Sequence, residues 1–449
     1  LFILELLKLN GLKVDELELI GEYVKSKMNY FITAIDIHHV RHLKNIHIPL
    51  STVERKHLII TGKNGSGKTS VLEEFVNYLQ SINTGEILEV PQWNKSVEVF
   101  INSISVSEKQ LLVTDEPSRK IEIQTQIEKE KQHLNHFQSL LNRFSKVSIH
   151  FSTFENITTE TRDGQFIITF FKAGRSASMT KPSAISKVDF KQSYGIEERL
   201  GYTFIQYLVY LKTQKAFADN EQDTKTAEEI DHWFDIFENC LKEIFEEPSL
   251  VLQFDYKNLN FNIIIEGKRE PFDFTTMSAG HSSYLEIVAE LIMRMEKNNV
   301  KSYELQGIVL IDEIETHLHV SLQKKILPFL TSFFPNIQFI VTTHSPFVMT
   351  SIDNTVIYDL ENKILVGDLS AYSYESIIEK YFKIDQYSQE IKEKMDKYLQ
   401  LMEKVDLTEH EVYTLSEIRR YLDDVPNQFA PGLKMKFNEM ELIRGSEKL

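Results

Sequence analysis

Gly62-Lys63-Asn64-Gly65-Ser66-Gly67-Lys68-Thr69 follows the apolar run Leu58-Ile59-Ile60 after a single residue. The order is that of a strand, a glycine-rich turn and a helix start. Glycine lets successive backbone N–H groups close around a phosphate, and the helix N-terminus adds its partial positive charge. Lys68 is placed to reach the β- and γ-phosphates, and the Thr69 hydroxyl to ligate Mg²⁺. The nucleotide-binding set read here is Asn64, Gly65, Ser66, Gly67, Lys68, Thr69 and Ser70. With only 16 glycines in 449 residues, chance is a poor explanation for the pattern and its flanks. The expected ligand is a nucleoside triphosphate, ATP, with Mg²⁺.

Downstream, Ile308-Val309-Leu310-Ile311-Asp312-Glu313 reads as a buried strand ending in two acids. Asp312 is placed to hold Mg²⁺ and Glu313 to polarise an attacking water. Two acids can equally open a helix, but a second buried run, Ile337-Gln338-Phe339-Ile340-Val341, follows and ends in Thr342-Thr343-His344-Ser345-Pro346. His344, one strand along from the acids, can donate a hydrogen bond to a γ-phosphate. A fourth element, Met277-Ser278-Ala279-Gly280-His281, is a small-residue turn opening a helix, where Ser278 and the Gly280 backbone could hold a phosphate. A helix N-cap explains that turn equally well; its order between the loop and the acids gives it weight. Buried strands with acids at their ends predict an α/β core with a parallel sheet.

Composition bounds the rest. The chain is 42% hydrophobic, enough for a large core and a smaller lobe. One cysteine, Cys240, excludes an internal disulfide and a four-cysteine zinc site, so a cytoplasmic location is expected. No apolar run reaches the roughly 18 residues of a membrane span, and no membrane partner is expected. The formal charge of −16 argues against constitutive nucleic-acid binding, although a local basic groove is compatible with it. His38, His39, His42, His47, His317 and His319 have no cysteine nearby and read as structural rather than metal-binding.

Along the chain, residues 1–27 precede the first methionine, Met28, and read as an extension. Residues 28–104 form the first part of the nucleotide-binding head, with three strands at 30–60 feeding the loop. From 105 to 146 Ile127, Leu134 and Leu141 recur every seven residues, with Ile123, Phe137 and Phe144 on the same stripe. That spacing predicts a short helical hairpin packed onto the body, with Glu130 interrupting the seam. Residues 147–272 form a second strand lobe and a helical insertion, 273–372 the rest of the head, and 373–449 a helical region for partner or self association.

The order of loop, Ser278-Ala279-Gly280 turn, Asp312-Glu313 and His344 resembles the ABC-type ATPases, within them the branch of the RecF, SMC and OLD-like proteins. The segment Ile35-Asp36-Ile37-His38-His39-Val40-Arg41 looks like that branch's strand ending in an arginine near the nucleotide. The resemblance covers about 30–365 and implies two ATPs sandwiched between two heads, Ser278 of one subunit completing the site of the other. Glu313, His344 and Ser278 are the implied catalytic residues; Arg41 and Gly280 join the nucleotide set, and Thr69 and Asp312 hold Mg²⁺. Ala279 and His281 depart from the branch's commoner glycine and glutamine, so slow turnover is expected. Phe170-Phe171-Lys172-Ala173-Gly174-Arg175 resembles a strand-end arginine motif of the bacterial members, and Gln92 is a weak match to their Mg²⁺-sensing glutamine. About 75 residues follow 374, fewer than a typical domain of about 100, without a strand pattern bearing clustered acids; no TOPRIM nuclease domain is expected.

Members of the branch without a nuclease resemble the ATPase subunits of PARIS- and Septu-type phage-defence modules. That implies a switch or scaffold acting on a separate nuclease or toxin effector, with DNA or a phage protein as trigger. A DNA-repair ATPase clamping DNA is the alternative, and a transporter subunit fits least, since the inserted region 105–250 has no role there.

Overall fold

The structure, a computed structural model, describes residues 29–175, 178–267, 270–296, 305–366, 389–402, 404, 406–424, 435, 437, 438 and 441. The extension 1–27 and residues 373–388 of the expected C-terminal helical region lie outside them.

β1 (Ile32–Val40) and β2 (Leu43–Pro49) alternate buried and exposed side chains, as strands with one face on a core must. They pair antiparallel, and β4 (Val147–Phe151) adds to the other edge of β1, giving a sheet of order β2-β1-β4. β3 (His57–Thr61) differs: all five residues are buried, which suits a strand covered on both faces. It lies inside a six-stranded sheet of order β12-β11-β3-β10-β9-β5. The other members are β5 (Phe166–Phe171), β9 (Gln306–Ile311), β10 (Ile337–Thr342), β11 (Thr355–Asp359) and β12 (Ile364–Val366). All but β12 run parallel. The three strands expected at 30–60 are thus divided between two sheets. Gln338, fully buried on β10, ties the sheets together: its amide accepts from the Ile32 N–H (2.7 Å) and donates to the Ile32 (3.0 Å) and Lys56 (2.7 Å) carbonyls. A third sheet is the antiparallel set β6 (Val251–Asp255), β7 (Asn260–Ile264) and β8 (Phe272–Asp273).

Helix α1 (Lys68–Thr84) buries Val71, Leu72, Phe75, Val76 and Leu79 between the sheets and ends at Gly85, whose φ of 84° closes the C-terminus. A hairpin follows, α2 (Val90–Val113) and α3 (Pro117–Asn142). It begins 15 residues before the expected 105, because Phe100 and Ile104 already face α3 and belong to the same unit. Ile123, Ile127 and Leu134 pack on Ile104 and Leu111, and Phe137 stacks on Phe100 (5.9 Å between rings). The stripe therefore meets the opposite helix instead of the body, while Phe144 at its root touches Tyr78 of α1 and Trp93. Glu130 is tolerated in the seam because it accepts from the Ser103 hydroxyl (2.8 Å).

After α4 (Ile157–Arg162) come α5 (Phe204–Asn220) and α6 (Thr224–Phe245), separated by the polar break at 221–223, where Asp223 caps α6. The head is completed by α7 (Ala279–Met295), α8 (Val320–Phe333) and the single turn α9 (Pro346–Met349). The chain divides into two compact units, Leu1–Ala371 and Tyr372–Leu449. In the second, α10 (Gln389–Met402) and α11 (Glu409–Asp424) enclose a core of Tyr398, Leu401, Leu415, Ile418 and Leu422. Among the described residues no helix is long and apolar enough to cross a membrane.

Candidate active site

The turn after β3 needs its glycines. Gly62, Gly65 and Gly67 have φ of 137°, 82° and 99°, in the left-handed region that side chains rarely adopt. At Gly62 a Cβ would also stand 2.9 Å from the Ser66 hydroxyl and 3.3 Å from the Glu361 backbone nitrogen. The loop is thus closed against the turn following β11, where Lys63 pairs with Glu361 (2.8 Å). Gly67 lies against Leu43 and His42 in the β1–β2 turn. Arg41, exposed and at φ 52°, sits in that same turn, which brings it to the loop's side of the head.

Lys68 is buried at the start of α1, and its ammonium donates to the Gly62 (2.9 Å) and Lys63 (3.1 Å) carbonyls. Burial pushes its pKa down, and the carboxylates of Glu313, Glu315, Asp312 and Asp359 push it back up. These acids come from β9 and β11, far along the chain; the sheet order makes β3, β10 and β9 neighbours, with their C-terminal ends at one edge. Brought together there are Lys68, Asp312, Glu313 and His344.

Thr342, the last residue of β10, joins the two acids. Its hydroxyl donates to Asp312 Oδ1 (2.5 Å) and accepts from the Glu313 N–H (2.7 Å). Glu313 has φ 44°, a left-handed conformation that a glutamate holds only under surrounding constraint. Glu315 Oε1 accepts from the His344 backbone N–H (2.6 Å). The His344 imidazole is half-buried, and its pKa is lowered, first by burial and then by Lys68, so the ring is neutral near pH 7 and keeps one N–H to donate.

Arg175, from the strand-end motif after β5, reaches the same segment. Buried, it donates to the carbonyls of Asp312 (2.8 Å), Glu313 (3.2 Å) and Ile314 (2.6 Å).

Ser278 and Gly280 lie at the start of α7. Ser278 caps α7 and contacts His281 Nδ1 through its hydroxyl (2.9 Å), and His281 stacks on Phe245 at 4.2 Å. Gly280 packs against the main chain following the acids, where a Cβ would come within 2.8 Å of the His317 carbonyl oxygen. Gln92 is exposed in the first turn of α2, on the hairpin. Of the histidines read as structural, His47 contacts the Asp36 carboxylate (2.7 Å) across the three-stranded sheet and His38 contacts Ser148 (2.9 Å).

The residues fit a phosphate and a hard cation. The Ser66 hydroxyl is buried without a hydrogen-bond partner among the described residues, inside a cradle that a side chain at Gly62 would fill. Asp312 offers a buried carboxylate oriented by Thr342, an oxygen donor of the kind Mg²⁺ takes.

Residues 211–350 match the family model described as "AAA domain, putative AbiEii toxin, Type IV TA system". The match takes in Ser278, Asp312, Glu313 and His344. A retron Ec83 probable ATPase of Escherichia coli is 29% identical over 49% of this chain and 42% of its own length. A retron Vc95 probable ATPase of Vibrio cholerae is 24% identical over 68% of this chain and 69% of its own. Septu protein PtuA of Bacillus mycoides is 40% identical over 19% of this chain and 12% of its own. The matched part thus spans less than half of the Escherichia coli relative and about an eighth of PtuA. These matches bear out the expected resemblance to ATPases of this type, the Septu kind among them.

The partners of two residues of the site are not readable from the sequence alone. Thr342 reads as the end of an apolar run, and its two hydrogen bonds depend on which strand lies beside β10. Arg175 stands in a motif, but its targets lie 137 to 139 positions downstream.

Proposed function

We propose that the chain hydrolyses ATP and works as a switch in bacterial defence against phage: two heads close on ATP, and their state controls a separate effector, a nuclease or toxin. The observation that carries the reading is the convergence of Lys68, Asp312, Glu313 and His344 at the ends of three adjacent parallel strands. The similarity to retron ATPases and to PtuA supports the defence setting.

In this reading Lys68 and the N–H groups of 64–69 bind the phosphates. Thr69 and Asp312 would hold Mg²⁺, which supplies charge neutralisation on the phosphate oxygens. Glu313 accepts the proton of the attacking water, and neutral His344 donates its N–H toward the γ-phosphate. Ser278 and Gly280, at the start of α7, complete the site of the second head.

The test is hydrolysis and sedimentation with ATP and Mg²⁺. Glu313→Gln is expected to bind ATP normally, to lose hydrolysis by about 100-fold or more, and to sediment as a dimer with ATP. Lys68→Ala is expected to lose nucleotide binding. Wild-type protein without ATPase activity, or a Glu313→Gln protein with unchanged turnover, overturns the reading.

A further inference from the structure

We infer that Arg175 is the positioning residue for the general base, holding Glu313 in its left-handed backbone conformation by gripping three consecutive carbonyls. A guanidinium offers five donors in a rigid fork, and this one directs its two terminal nitrogens at backbone: the carbonyls of Asp312, Glu313 and Ile314 at 2.8, 3.2 and 2.6 Å, with Lys172 at 3.4 Å, while its Nε is buried without a partner among the described residues. Such a use is costly, because the charge is buried and its desolvation is offset by carbonyl dipoles and by carboxylates acting at longer range. Burial lowers the Arg175 pKa to about 10, and the carboxylate acting on it most strongly is Glu286 of α7. Three carbonyls in a row pointing at one cation fix the peptide planes on both sides of Glu313, the residue with φ 44°. On the other side of the same segment Thr342 holds the Glu313 N–H. The carboxylate is thereby aimed by its main chain, and Arg175 acts without touching the nucleotide.

Lysine cannot replace it, since an ammonium on a flexible stem reaches one or two carbonyls and leaves the rest of the segment free to relax. A displacement of the base by about 1 Å is worth on the order of 100-fold in rate.

This inference rests on the ATPase reading, and the experiment separates the two. Wild type, Arg175→Lys and Arg175→Ala are compared for kcat, KM and binding of a fluorescent ATP analogue, and Arg175→Ala is assayed again with methylguanidinium. The expected result is a kcat about 100-fold lower for both variants, nucleotide affinity within about 3-fold of wild type, and partial recovery of Arg175→Ala by methylguanidinium. Arg175→Lys keeps charge and most of the volume, so it decides the matter if the alanine protein does not fold. A kcat within about 3-fold of wild type, or affinity lost in step with kcat, overturns the positioning role. An inactive wild type would instead sink the ATPase reading itself.

Discussion

His57, on the strand that delivers the phosphate loop, is a buried imidazole whose Nδ1 accepts from the Phe339 N–H (3.1 Å). Burial, helped by the charges of Arg55 and Lys56, holds its pKa down at about 4. The unfolded chain takes up this proton near pH 6.5 and the folded chain only near 4, so stability rises with pH through that window and falls on acidification. The cost between pH 7 and pH 5 is about 2 kcal/mol from this one ring. Asparagine can present an oxygen where Nδ1 stands and does not titrate. His57→Asn is therefore expected to lose less stability than wild type between pH 7 and pH 5 in urea unfolding; parallel losses would show that another group carries the effect. The contrast with the site is instructive. Lys68, Asp312, Glu313 and His344 could be picked out of the sequence because each ends a recognisable strand or turn. His57, Thr342 and Arg175 could not be given their parts, because burial and hydrogen-bond partners come from strands that only the fold sets side by side.

At the scale of elements, the helices and strands with strong periodicity were legible, and their partners were not. Residues 30–60 do hold three strands, yet β1 pairs with β2 and β4, while β3 pairs with β10 and β11. Alternating burial in the first two and complete burial in the third is the physical sign of that division, since a strand covered on both faces cannot share their half-exposed sheet. The hairpin α2–α3 shows the same limit: the seven-residue stripe is real, but its counterpart lies on residues 93–111, where the spacing is less regular. Ile127 sits at the centre of that seam with Ile104 and Ile123. Ile127→Ala is expected to remove about 2–5 kcal/mol of packing within the hairpin. Because the core of the head is a separate cluster around β3 and β10, hydrogen exchange should quicken across 90–142 and stay unchanged in β3, β9 and β10. Faster exchange throughout the head would mean that the hairpin is an integral part of the main core.

For the whole molecule, the question is which loop Ser278 serves. The turn at 278–281 makes its contacts with Phe245 and the His317 main chain, whereas the loop at 62–69 faces Glu361, His42 and Leu43. If each site takes its loop from one head and its turn from the other, a Lys68→Ala protein and a Ser278→Ala protein are inactive for complementary reasons. Mixed in equal amounts and allowed to exchange, half of the dimers carry one of each, and each mixed dimer holds one intact site and one doubly damaged site. Hydrolysis should then return to about a quarter of the wild-type rate per subunit if the two sites act independently. A smaller recovery with full exchange would show that both sites must fire together, and recovery should vanish when Glu313→Gln is added to the Ser278→Ala chain, because that chain supplies the loop and the base of the intact site. Mixtures with no recovery, despite dimers visible by sedimentation, would place the whole site within one chain and leave Ser278 as a helix cap.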